Sequence, residues 1–257
     1  MRFLLPPDRG AVRGAARAAV LAEWMTTWLG AAVRVELAPT YRELAVEVEG
    51  GRAELAWAPP AVCARIRAGA RRIFTVVRYG ASACEAALVV HRDSPIEALG
   101  DLRGKRAAWV DPLSTSGHLM ALAHLVDHGL DPAYLFAEQT FAGSYRDALA
   151  AVGERRADVT SMFVVNEDEA MTLREMRELA GPVAERLRLL ATTQPAPFDG
   201  LIVGESAPPE LEAKILALDQ RDFPPAMLLE VCRADRFVPA DAAAYARFER
   251  FVEPLLG

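Results

Sequence analysis

The stretch KRAAWVDPLSTSG (105–117), followed by HLMALAHLVDHG (118–129), decides the fold. Residues 105–110 are a short apolar run with strand character, Asp111 and Pro112 break it, and residues 117–128 place Leu119, Leu122, Ala123 and Val126 at helical spacing. The order is strand, hydroxyl-rich loop, helix. The first amides of a helix have no partners inside it and carry the positive end of its dipole. Ser114, Thr115 and Ser116 therefore stand where hydroxyls and amides can converge on a small anion. The plainer alternative is that Ser116 only caps the helix.

The same grammar recurs outward from this stretch. Residues 3–5 form a short strand ended by Pro6 and Pro7, and 11–29 a helix with Ala16, Val20, Trp24 and Trp28 on one face. The chain returns as a strand over 33–37. Thr40 with Glu43 makes a capping box for a helix running to Gly50 and Gly51, and 53–57 is a strand ending in Ala58-Pro59-Pro60. A helix to residue 68 and a strand over 72–77 follow. Further on, 157–163 reads as a strand, 166–179 as helix and loop, 187–193 as a strand and 193–200 as a turn-rich crossing. Residues 201–204, a helix after Pro208 and Pro209, and helical patterns over 225–233 and 240–255 complete the chain. Strands alternating with helices predict mostly parallel sheets covered by helices on both faces.

One segment repeats in letters as well as in grammar. Thr40-Tyr41-Arg42-Glu43 through Arg52-Ala53-Glu54-Leu55 aligns without gaps, at an offset of 104, with Ser144-Tyr145-Arg146-Asp147 through Arg156-Ala157-Asp158-Val159. The fold class expected is α/β, with two similar three-layer lobes, a ligand cleft between them and two chain crossings. Residues 1–84 and 198–257 would form one lobe and 85–197 the other. Ligands of open α/β sheets bind beyond the carboxyl ends of strands, so Trp57 with Ala58 and Pro59, the 114–117 loop and the 143–145 turn are expected to face that cleft.

Composition narrows the function classes. A chain of 257 residues, 52% of them hydrophobic, can bury a substantial core. The net charge of −6, with both signs interspersed, gives no basic stripe for nucleic acid or an anionic membrane, so any anion site is local. Cys63, Cys84 and Cys232 are odd in number and scattered, which suits reduced thiols. No apolar run has signal-peptide or membrane-spanning length.

These segments resemble the substrate-binding proteins of phosphate, phosphite and phosphonate importers, which have the type II periplasmic-binding fold. The carriers are GRAELAWAPP (51–60), LVVHRDSPI (88–96) with LRGKR (102–106), DPLSTSG (111–117), GSY (143–145) and APFDG (196–200). The resemblance implies that Ser114, Thr115 and Ser116, with Gly117, hold an oxyanion. Trp57, Ala58, Pro59, Tyr145, Phe163 and Asp199 complete the expected ligand contacts. The chain departs from the family pattern at three places: Cys84 where an aromatic residue is common, Tyr145 where the family has histidine, and Phe163 where it has an acidic residue. A carboxylate at 163 would pair with the amine of an aminoalkylphosphonate, so its absence argues against such a ligand.

Other constellations carry less. His124 and His128 lie four apart on one helix, but no carboxylate or cysteine completes a metal set with them and His118. The segment 100–105 has three residues between its glycines where a phosphate loop has four. A nucleophile in Ser116 beside His118, or Cys84 beside Glu85, keeps an enzyme built on the same fold as the alternative function. The expectation is a monomeric binding protein for a small anionic ligand, without cofactor or metal, that works by lobe closure. Its partner would be a transporter permease or a signalling protein. As the sequence stands the compartment expected is cytoplasmic, a sensor; a trimmed leader would make it a periplasmic transport component.

Overall fold

The computed structural model describes residues 1–6, 11–66, 69–77, 80–164, 169–218, 235–246 and 248–249. The chain divides into two compact units, Met1–Ser82 with Pro197–Gly257, and Ala83–Ala196. The first begins β1 (Arg2–Leu5), α1 (Ala11–Leu29), β2 (Arg34–Leu37), α2 (Tyr41–Glu49), β3 (Leu55–Ala58), α3 (Pro60–Ile66) and β4 (Ala70–Val77). The second contains β5 (Ala83–His91), β6 (Arg106–Trp109), α4 (Met120–Asp127), α5 (Pro132–Leu135), β7 (Glu138–Phe141), α6 (Tyr145–Gly153), β8 (Val159–Val164), α7 (Glu169–Ala180) and β9 (Leu187–Thr192). After the two-residue β10 (Ala196–Pro197) the chain re-enters the first unit with β11 (Gly200–Gly204), α8 (Leu211–Leu216), β12 (Arg236–Pro239) and a short helix, Ala242–Ala246. The helical pattern over 225–233 lies outside the described residues, as do Pro7, residue 68, residues 166–168 and residues 250–255.

The sheet of the first unit has the order β12-β4-β11-β3-β1-β2. β1 runs parallel to β2 and β3, but β11 lies antiparallel between β3 and β4, and β12 is antiparallel to β4. The second sheet, β10-β5-β8-β6-β7 with β9 also on β5, is mixed in the same way. The expectation of mostly parallel sheets is corrected. β11 is the chain returning from the other unit rather than the end of a helical crossover, so nothing obliges it to run parallel to its neighbours. Every residue of β3 and β11 is buried. A Cβ at Gly200 would lie 2.6 Å from the Cys63 sulfur and 2.9 Å from Ile73 Cγ2, so the close seating of β11 needs glycine there.

The buried face of α1 also differs from the expected one. Ala18, Leu21 and Met25 are buried, whereas Val20 is exposed and Trp24 and Trp28 stack on each other half-exposed, ring centroids 5.3 Å apart. An alanine-rich helix offers two apolar stripes, and contact with the sheet selects one. In the second unit, side chains alternate across the strands into two cores. Leu88, Val90, Trp109 and Val159 pack with Ala121 and Leu125 of α4, and Val89, Ala108, Met162 and Val164 pack with Leu149 and Val152 of α6. This is a three-layer arrangement.

The repeat at offset 104 extends well beyond the letters that reveal it. Arg2 pairs with Arg34 and Phe3 with Leu55, while Arg106 pairs with Glu138 and Ala107 with Val159. Thr40 accepts the Glu43 amide at 3.0 Å, and Ser144 accepts that of Asp147 at 3.1 Å. The backbone amide of Arg2 donates to Glu54 at 2.7 Å, and that of Arg106 to Asp158 at 2.9 Å. Both helices end alike: Gly51 and Arg52 donate to Val48 and Glu47, Arg155 and Arg156 to Val152 and Ala151. That ending needs a left-handed residue. Gly51 takes it at φ 66°, and Arg155 takes it at φ 60°, where a side chain costs about 1–2 kcal/mol.

Candidate functional site

The 114–117 loop is built by short local bonds that follow from its residue types. Asp111 turns the chain: its carboxylate accepts the Leu113 amide and its carbonyl the Ser114 amide, each at 3.0 Å. Ser114, not Ser116, is the cap, its hydroxyl accepting the Gly117 amide at 3.2 Å. The Leu119 amide reaches back to the Ser114 carbonyl at 3.0 Å, so Thr115–Leu119 is a wide π turn that runs on into α4. A Cβ at Gly117 would lie 2.5 Å from Val110 Cγ2 and 2.7 Å from the Ser114 hydroxyl, so only glycine lets the turn close on the end of β6.

Three strands and two helices then hold this turn. The Ser116 hydroxyl lies 2.7 Å from the Tyr145 hydroxyl at the start of α6, and the Ser116 carbonyl accepts the Ser161 hydroxyl of β8 at 2.6 Å. The Tyr145 ring stands edge-on to Phe163, centroids 5.5 Å apart. Beneath the loop, His118 is buried between Trp109 and Phe141, its Nδ1 2.8 Å from the Pro112 carbonyl. Burial pushes its imidazole below the usual range, against the pull of that carbonyl and of Asp111. The Thr115 hydroxyl is buried and has no hydrogen-bond partner. Such an orphan is uncommon and calls for a polar guest. With the Thr115 and Ser116 amides at the start of the turn, which have no partner within the helix, it makes a cluster of donors under the positive end of α4.

The structure thus brings together Ser114, Thr115, Ser116, Gly117, Tyr145 and Phe163 within the second unit. Sequence reading missed Ser161 and the Tyr145–Ser116 contact, since a serine inside a strand gives no signal until the register of β8 against β6 is known. The hydroxyl of Ser116 and the Nδ1 of His118 are bonded to other partners, not to one another.

The remaining expected residues belong to the first unit. Trp57 is buried in β3 and stands edge-on to Phe237, centroids 6.3 Å apart. Ala58 is buried and its carbonyl accepts the Cys63 thiol at 3.4 Å; Pro59 opens α3 by accepting the Val62 and Cys63 amides. Asp199 is half-buried just before Gly200, which pairs with Ala58. Burial first, and then the Asp199 charge, push the Cys63 thiol well up, so it is not a nucleophile at neutral pH. At the end of α4, His128 Nδ1 lies 2.8 Å from the His124 carbonyl. Among the described residues no group of three histidine, cysteine or acidic side chains could hold a metal ion, and no helix is long and apolar enough to cross a membrane.

Comparison with known proteins places these features. Among solved structures, XAC2383 from Xanthomonas citri bound to chloride superposes with a TM-score of 0.77 at 20% identity, covering 98% of this chain and 95% of its own. PhnD1 from Prochlorococcus marinus in complex with methylphosphonate has a TM-score of 0.69 at 20% identity over 99% of this chain and 97% of its own. The periplasmic aliphatic sulphonate binding protein SsuA from Escherichia coli gives 0.53 at 14% identity, over 99% and 86%. These likenesses establish the two-lobed α/β fold of type II periplasmic binding proteins. A search of curated proteins found no match. The profile of ABC transporter phosphonate periplasmic substrate-binding proteins matches residues 3–245, and the chain belongs to that family.

Proposed function

We propose that the chain binds a small molecule bearing a tetrahedral oxyanion, phosphate-, phosphite- or alkylphosphonate-like, at the 114–117 loop of the second unit. The observation that carries this reading is the buried, unpartnered hydroxyl of Thr115, which lies in sequence between Ser114 and Ser116. A tetrahedral oxyanion can accept from that hydroxyl and from the first amides of the turn, and charged hydrogen bonds of this kind are the strong ones. Membership in a family of substrate-binding proteins supports it independently.

The Tyr145–Phe163 pair favours a ligand whose second group is small and apolar. Phe163 presents carbon where an amine would need a carboxylate, and the Tyr145 ring stands edge-on to it. Trp57, Ala58, Pro59 and Asp199 enter the proposal as further ligand contacts, engaged on lobe closure. A family of periplasmic proteins favours an exported transport component that delivers to a permease over the cytoplasmic sensor; fractionation of native cells separates them by where the protein is recovered.

The ligand class is tested by calorimetric titration of phosphate, phosphite, methylphosphonate and an aminoalkylphosphonate. The tightest binder is expected to lack an amine, and tighter binding of the aminoalkyl compound than of methylphosphonate would overturn the assignment.

A further inference from the structure

A pocket of about 380 Å³ opens at the end of β5, lined among others by His91, Arg92, Asp93, Glu154, Arg155 and Arg186. All belong to the second unit, and none takes part in the 114–117 site. In a chain of net charge −6, the pocket gathers Arg92, Arg155 and Arg186 with two carboxylates, Asp93 and Glu154; Arg156 lies beside Glu154, and the Arg92 guanidinium donates to the Glu185 carbonyl at 2.6 Å. Glu154 is taken by Arg156 at 2.8 Å, and Asp93 faces Arg155 at 3.3 Å. Arg186 is exposed and has no ion-pair partner among the described residues. His91 is buried at the floor, and its Nδ1 accepts the Asp93 amide at 3.1 Å, which leaves the ring proton on Nε2.

The backbone adds an independent observation. Arg155 is the one described non-glycine residue with positive φ, at 60°, and its counterpart in the repeat is Gly51, at 66°. The two helix ends share the same hydrogen bonds, so glycine serves the turn without strain, as the first unit does. What arginine adds at this position is a guanidinium at the mouth of the pocket, and a residue held in a strained conformation that its repeat avoids points to a use for the side chain.

We propose that this pocket is a second anion site, independent of the 114–117 loop, for a compact oxyanion with several acceptor oxygens, of the phosphate class. A single carboxylate occupies one planar guanidinium fork, whereas a tetrahedral dianion accepts from two or three at once and from the His91 Nε2 proton. Asp93 is the internal competitor for Arg155, so removing its charge frees donors for the guest.

The test uses the full chain carrying S114A/T115A, which silences the loop, titrated with inorganic phosphate and, in a second arm, glycerol phosphate at low ionic strength. Saturable binding of either is expected, the tighter one naming the source as free ion or monoester. R155G and R186Q, added singly, should each weaken it about threefold to tenfold, and D93N should tighten it. R155G restores the glycine of the repeat and should fold at least as stably, as its thermal midpoint will report. Absence of saturable binding in both arms, or affinities indifferent to all three substitutions, overturns the proposal. Methylphosphonate binding is read separately in an R155G/R186Q variant with an intact loop, so each site can fail without the other.

Discussion

The strands and the capped helix of residues 2–5 and 34–58 are built again in residues 106–109 and 138–162, with equal strand registers, helix caps and helix ends at a constant offset. The two units differ in the helix that follows the first strand: α1 runs unbroken to Leu29, whereas its counterpart ends at Asp127 and α5 follows. The second unit opens that helix with Ser114-Thr115-Ser116-Gly117; the corresponding positions of the first are Gly10-Ala11-Val12-Arg13, without a hydroxyl. Ser161, which donates to the Ser116 carbonyl, corresponds to Trp57, and buried His118 corresponds to Gly14. Backbone hydrogen bonding and apolar alternation therefore make the scaffold, and a few side chains at one turn equip one copy for the anion binding proposed above. The same scaffold also tolerates exchange of Gly51 for Arg155 at a position that prefers glycine.

The largest difference in stability is expected from the cores. Trp109 is fully buried, donates its indole N–H to Gln139 at 2.8 Å and supports His118 from below. Trp109→Ala should cost about 3–5 kcal/mol in denaturant unfolding and release the 114–117 turn, whereas Leu5→Ala, its counterpart, should cost about 2–5 kcal/mol without touching that turn. Hydrogen exchange at residues 114–119 separates the two, and equal protection in both variants would break the comparison.

Gly117→Ala comes next. The added methyl meets Val110 and Ser114 far inside contact distance, so about 1–3 kcal/mol of destabilisation is expected together with weaker ligand binding. Full affinity in a folded G117A protein would mean that the turn geometry is not what holds the anion.

The paired helix ends give opposite signs. Gly51→Ala should destabilise by about 1 kcal/mol because it puts a Cβ in the left-handed region. Arg155→Gly should be neutral or stabilising by up to about 1 kcal/mol, since its exposed contact with Asp93 contributes little. Thermal midpoints that move the same way would contradict the equivalence of the two turns.

The smallest effect is a pH dependence. His118 has a lowered pKa in the folded chain, so below an unfolded pKa of about 6.5 the unfolded chain binds the extra proton first. The stability it contributes is complete above that pH and is lost as the pH falls through the window down to its folded pKa. His118→Gln should flatten that slope in unfolding curves taken from neutral to mildly acidic pH; an unchanged slope assigns the dependence to other groups.

Much of this was legible in the sequence, for reasons that the residues make plain. Capped helices at Thr40 and Ser144 and the apolar runs in β1, β3, β6 and β8 follow from local chemistry, and so does the hydroxyl loop. Strand direction was not legible, because the unbroken apolar run of β11 reads the same whichever way it runs. β7, with all four residues exposed, has no apolar pattern to announce it, and α5 is a single turn. The π turn was hidden because the spacing after Ser114 reads equally well as an ordinary helix start. The partners of Ser116 and the basic pocket at His91 come from distant parts of the chain and exist only once the register is set.

Calorimetry of methylphosphonate binding to the native chain and to S114A/T115A tests the anion site most directly. Loss of two charged hydrogen bonds, partly replaced by water, should weaken binding by about 2–4 kcal/mol, some thirtyfold to several hundredfold, in a protein that still folds but has lost about 1 kcal/mol of stability with the Ser114 cap. Equal affinity in the two proteins would contradict the account and leave the serines and threonine as no more than the start of a helix.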